Sequence, residues 1–178
     1  MVSVLSPQPA RPRIGKPLCP PVGALRGKRV GLRRDRFWLS WDWITDEWSK
    51  LLEADGAETL IWRAPVGKGD KEMTAGGEDY AKFLESVDVA ISGLGNCGSC
   101  TLWAIHDAVG ALDFGLPTAA VSTEHFEPLA RTLAGQRGHD QLRLKLMPYP
   151  LEGRPEDEVR QIARDNYDDL LTVLGASR

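Results

Sequence analysis

From Lys28 to the C-terminus, short apolar runs alternate with stretches of helical periodicity, and the alternation repeats five times. A chain patterned this way is restricted to parallel strands joined by crossover helices, because parallel neighbours need a connection long enough to return over the sheet. The apolar runs place strands at Arg29–Leu32, Glu58–Trp62, Val87–Ser92, Pro117–Ser122 and Arg143–Met147. Helices start near Asp42, Gly77, Ser99, Phe126 and Pro155. Ile44, Trp48, Leu51 and Leu52 make the apolar stripe of the first helix, and Pro155 suits a first helical turn whose N–H is unpaired anyway. The expectation is a single doubly wound α/β domain, residues 29–178, with about five mainly parallel strands.

Residues 1–28 read differently. Pro7, Pro9, Pro12, Pro17, Pro20 and Pro21 remove backbone donors and αR freedom, so this stretch is a proline-rich N-terminal arm. It is either a disordered leader or a segment packed over the body or over a neighbouring subunit of a homo-oligomer. A net charge of -3 gives no electrostatic reason to bind nucleic acid or an anionic membrane, so a small molecule or a protein is the expected partner. No window approaches the roughly 20 apolar residues of a membrane span, and the first residues lack the apolar core of a secretory signal, which reads as cytoplasmic. Three cysteines are too few for a disulfide scaffold in a chain of this length, and Cys19 lies among prolines without a partner at redox spacing.

The other two cysteines sit in GLGNCGSC, Gly93 to Cys100, just after the third strand. In a doubly wound sheet the functional crevice lies outside the carboxyl ends of the strands, so this loop is well placed. It spells both GxGxxG and CxxC. A dinucleotide site would also use Glu124 at the end of the next strand, but the helix position that should carry a small residue is Leu102, and the motif belongs to the third strand rather than the first. A thiolate-held zinc wants four ligands; CxxC supplies two, and His106, His125 and His139 have no metal spacing. No metal and no cofactor are therefore expected. The glycines can also serve only a tight turn around inert cysteines. The thiol reading has a mechanism: a cysteine at a helix N-terminus meets unpaired N–H groups and the positive end of the helix dipole, which lower thiol pKa values to about 3.5 to 7.5. Cys97 just before the helix is then the nucleophile and Cys100 in its first turn the resolving thiol.

CGSC followed by GLPT suggests thioredoxin, but a single helix separates Cys100 from Pro117, and a strand, helix, strand, helix series follows. The order is flavodoxin-like rather than that of a thioredoxin fold, which closes with a hairpin and a helix. Shared chemistry does not require a shared scaffold.

The phrases LRGKRVGL, DVAISGLGNCGSCT, the His106-Asp107 pair, GLPTAAVSTEHF and LRLKLMPYPLEG together resemble the UGSC-motif family, named for a selenocysteine-Gly-Ser-Cys tetrapeptide. The resemblance spans most of the chain. It implies that Cys97 occupies the selenocysteine position and Cys100 that of the partner cysteine, as in members carrying CGSC. The segment RRDRFWLSWDW departs from many relatives, so substrate choice is expected to differ.

The supporting residues each have a functional and a structural reading. Thr101 can hydrogen-bond a thiolate or satisfy the first helical turn. His106 and Asp107 lie two turns into the helix, with Cys100, Trp103 and Asp107 spaced to share a face. Glu124 and His125 leave the fourth strand as candidate acid or base groups, with capping as the alternative for Glu124. Arg33, Arg34 and Arg36 suit a substrate carboxylate or phosphate; Trp38 or Trp41 suits the wall of an apolar pocket, while Trp48 reads as core. Asn96 and Ser99, inside the motif, complete the substrate-binding set.

Three functions are compatible with these residues. The first is a cysteine-dependent redox enzyme acting on a small molecule or disulfide, with a thiol reductant as possible partner. The second is a cofactor-free lyase or isomerase using Cys97 with Glu124 or His125. The third is a non-catalytic small-molecule-binding or assembly subunit in which the cysteines only shape the loop.

Overall fold

The computed structural model of the chain describes residues 20–65 and 70–178, the side chains of residues 70–76 excepted. Five parallel strands form the central sheet: β2 (Arg29–Arg34), β3 (Glu58–Arg63), β4 (Val89–Gly95), β5 (Thr118–Thr123) and β6 (Leu144–Met147). Their spatial order is β3-β2-β4-β5-β6, every pair parallel. This is the flavodoxin-like doubly wound arrangement, and the expected fold class holds. The crossover helices are α1 (Leu39–Ala54), α2 (Asp70–Glu85), α3 (Gly98–Phe114), α4 (Glu127–Gln136) and α5 (Glu156–Asp165).

Alternation along the strands divides the core. Val89 and Ile91 of β4 with Ala119 and Val121 of β5 face a cluster built on Trp41, Ile44, Trp48 and Leu52 of α1 and on the C-terminal helices. Ala120 faces the opposite way, toward Ile105, Ala108 and Leu112 of α3, and Ala90 toward Tyr80 and Leu84 of α2. β4 and β5 are buried along their whole length, as central parallel strands should be.

Two short elements lie outside the sequence expectation, and the end of the arm packs on the body, one of the two arrangements expected for it. A sixth helix, α6 (Tyr167–Leu174), follows α5 after a break at Asn166, whose Oδ1 accepts a 2.8 Å hydrogen bond from the buried Lys145 ammonium. A two-residue β1 (Gly23–Ala24) pairs in parallel with β7 (Ala176–Ser177). From Pro20 onward the arm is part of the body, because Val22 and Leu25 are buried in the main core. Residues 1–19 lie outside the described residues, as do residues 66–69 of the segment following β3.

Candidate functional site

The strand order reverses beside β2 and β4, and the loop leaving β4 carries the cysteines. Gly93 and Gly95 are required by close approach. A Cβ on Gly93 would lie 2.6 Å from the Trp41 ring, and one on Gly95 would lie 2.7 Å from Ser122 Oγ and 3.1 Å from Thr101 Oγ1. The peptide between Gly93 and Leu94 is cis. Ser122 Oγ donates to Gly95 O at 2.9 Å, and Thr123 Oγ1 lies 3.3 Å from both Gly95 O and Asn96 Oδ1. Asn96, 7% exposed, is thereby fixed to the end of β5 rather than free in solvent.

Cys97 is the N-cap of α3. Its backbone is extended, and its Sγ accepts the Cys100 N–H at 3.1 Å. The Cys97 carbonyl takes the Thr101 N–H at 2.9 Å and the Thr101 hydroxyl at 2.6 Å, so buried Thr101 serves the first turn, the structural of its two readings. Cys97 and Cys100 are joined by a disulfide, with their Cα atoms 5.2 Å apart. Cys97 is half-buried and Cys100 buried, which makes Cys97 the sulfur a partner meets first. Exposed Ser99 places its hydroxyl 3.5 Å from Cys97 Sγ.

Of the three arginines expected to meet a substrate anion, Arg33 and Arg34 end β2 and are paired with carboxylates of the protein itself. Arg34 is buried and paired with Asp46 at 2.5 Å and Asp42 at 3.7 Å. Arg33 is 4% exposed and committed to Asp107. Arg36 is exposed and donates to Ala64 O at 3.3 Å. Trp41 corrects another expectation: it is fully buried core, its indole donating to Arg33 O at 3.1 Å, and its ring lies against Gly93 of the cysteine loop. Trp38 is partly buried against the same core. Trp48 is core as expected.

His106 is exposed, with Nδ1 3.2 Å from Asp107 Oδ1. Glu124 and His125 open a short 3₁₀ turn, residues Glu124–Phe126, directly after Thr123, so they leave the sheet beside the cysteine loop. His125 stacks on Tyr149 at 4.8 Å and meets Phe126 edge-on at 5.0 Å. Glu124 lines an open groove of about 390 Å³ with Lys145, Asn166 and Asp169. Neither residue hydrogen-bonds Cys97 or Cys100. Among the described residues no group of three or more His, Cys, Asp or Glu side chains is placed to hold a metal ion.

Sequence reasoning passed over Asp35. It is 6% exposed; its Oδ1 accepts the N–H groups of Phe37 at 2.9 Å and Trp38 at 3.2 Å, and its Oδ2 faces the Leu94 N–H at 3.4 Å. The carboxylate thus ties the start of α1 to the cysteine loop. Burial raises its pKa above the ordinary aspartate range, against the lowering effect of these N–H groups and of the Arg33 charge. A raised carboxyl pKa favours the fold below the unfolded pKa of about 3.9, and that contribution is lost as pH rises through the folded value. Asp35→Asn removes this titration. The stability of the natural chain minus that of the variant, from urea unfolding, is expected to grow as pH falls from 7 toward 4. A difference that is flat or shrinks would contradict the assignment.

A doubly wound domain with a disulfide-linked cysteine pair at the start of the helix that follows its central strand is what the fold and loop define. The UGSC family model matches residues 3–176, nearly the whole chain, and the protein belongs to that family. No curated protein matches it. No described helix is long and apolar enough to cross a membrane.

Proposed function

We propose that the protein is a thiol–disulfide oxidoreductase acting on small-molecule disulfides through Cys97 and Cys100. The observation that carries this reading is the sulfur pair itself: half-buried Cys97 at the N-cap of α3, with buried Cys100 three residues on and within bonding reach. In the reduced chain, N–H groups of the first turn and the helix dipole stabilise a Cys97 thiolate. That sulfur attacks one sulfur of a disulfide RS–SR; the Cys97–SR bond forms, the S–S bond breaks, and RS⁻ leaves and takes a proton from water. Cys100 then loses its proton and attacks Cys97 Sγ, expelling the second RS⁻ and closing the Cys97–Cys100 disulfide. Two electrons have moved from the dithiol to RS–SR. Two equivalents of an external thiol return the enzyme to its reduced form.

Thr101 and Asn96 hold the loop, and Ser99 is placed to contact the departing or arriving sulfur. His125 is engaged with Tyr149 and Phe126, which favours the dithiol over an acid–base role for that residue. The test is alkylation of the reduced chain by iodoacetamide as a function of pH, resolved by site. Cys97 is expected to react with a midpoint below about 7.5, well under the 8.5 of a free cysteine. A midpoint at the ordinary thiol value would overturn the reading.

A further inference from the structure

A buried charge and a partly buried one close to the cysteine loop, Arg33 and Asp107, have no place in the chemistry above. Arg33 on β2 reaches across to β4 and α3: its Nε donates to Asp107 Oδ2 at 2.7 Å and its Nη1 to Gly93 O at 2.9 Å. The Asp107 side chain is 14% exposed, with its second oxygen toward His106. On the other side of the sheet the Trp41 ring covers Gly93, and the Trp41 indole is itself held by Arg33 O. Gly93 is therefore gripped from both faces, by an aromatic ring and by a guanidinium anchored to the very helix that Cys97 caps.

We propose that Arg33 and Asp107 are positioning residues that set the reactivity of Cys97 by fixing α3 against the end of β4. The proposal rests on the dithiol reading. Its physical basis is that capping of α3 by Cys97 depends on where the helix begins relative to the loop, and the Arg33 fork joins the two by one rigid, planar group. Ser92 Oγ, donating to Ala104 O at 2.8 Å, is a second polar tie between β4 and α3. It lacks the reach to Gly93 O that the guanidinium has. Lysine keeps the charge but cannot hold a carboxylate and a carbonyl in fixed directions at once.

The experiment compares the full-length natural chain with Arg33→Lys and with the double variant Arg33→Met/Asp107→Leu. The double variant leaves no unpaired buried charge and so protects the fold. Leu170→Ala, a buried core truncation on α6, serves as a control for lost stability alone. Two readouts are taken, the pH profile of Cys97 alkylation and the equilibrium of the Cys97–Cys100 pair with glutathione. Both Arg33 variants are expected to lose about tenfold in alkylation rate near pH 6.5, as the midpoint moves toward that of free cysteine. Their equilibrium constant with glutathione is expected to shift about tenfold, equal to about 30 mV for a two-electron couple. Leu170→Ala should match the natural chain in both. An activated natural chain with folded Arg33 variants that behave identically overturns the positioning role alone. An ordinary Cys97 in the natural chain overturns the dithiol reading and this role with it.

Discussion

Replacing Trp41 with alanine is expected to remove about 3 to 5 kcal/mol of stability, the usual range for truncating a buried tryptophan, from a total that for most domains is only 5 to 15 kcal/mol. Trp41 is completely buried, packs edge-on against Trp48 with ring centroids 5.7 Å apart, and satisfies Arg33 O with its indole N–H. The substitution therefore opens a cavity and removes a buried hydrogen bond together. In urea the unfolding midpoint should fall steeply, and the melting temperature should drop by about 10 °C for a chain of this size. Because the same ring covers Gly93, the variant should also lose Cys97 reactivity, whereas Leu170→Ala, truncating an equally buried residue of α6, should lose stability alone. Unchanged thiol reactivity in folded Trp41→Ala would show that the ring does not support the loop.

The role of Trp41 was within reach of the sequence. It stands three residues before Ile44 and seven before Trp48, on the same helical stripe, and only its nearness to the start of the helix obscured that. The helix starts earlier than expected, at Leu39, because its caps come from elsewhere. Asp35 takes two N–H groups ahead of it, and Glu152, 112 residues along the chain, takes the Ser40 N–H at 3.1 Å and the Ser40 hydroxyl as well. No local pattern announces a cap of that kind. The strands and their parallel order were legible because alternating apolar runs leave few alternatives once a helix separates each pair. The cysteine loop was legible because its glycines and its CxxC spacing are local.

Arg33 was not legible, since a basic residue at a strand exit reads as surface. Its burial depends on an aspartate 74 residues away that meets it only once α3 folds onto the sheet. The break between α5 and α6 has the same origin: Asn166 is held by Lys145, a lysine buried at 4% exposure on an otherwise apolar edge strand. In each case the missing information is a pairing between a buried cation on a strand and a distant polar group on the helical layer, which residue spacing along the chain does not encode.

The central claim is that Cys97 attacks and Cys100 resolves, and trapping the intermediate tests it most directly. Reduced Cys100→Ser chain is incubated with glutathione disulfide and its intact mass is measured under non-reducing conditions. Without the resolving thiol, the mixed disulfide on Cys97 has no internal route to release, so a glutathione adduct at Cys97 should accumulate. The reduced natural chain, given the same treatment, should instead lose about two mass units as Cys97 and Cys100 close their disulfide, and neither of these two should carry a lasting adduct. Reduced Cys97→Ser chain should acquire neither mark at Cys100, which is buried behind it. The account is contradicted if Cys100→Ser remains unmodified at Cys97, or if the natural chain keeps both thiols while Cys19 is modified.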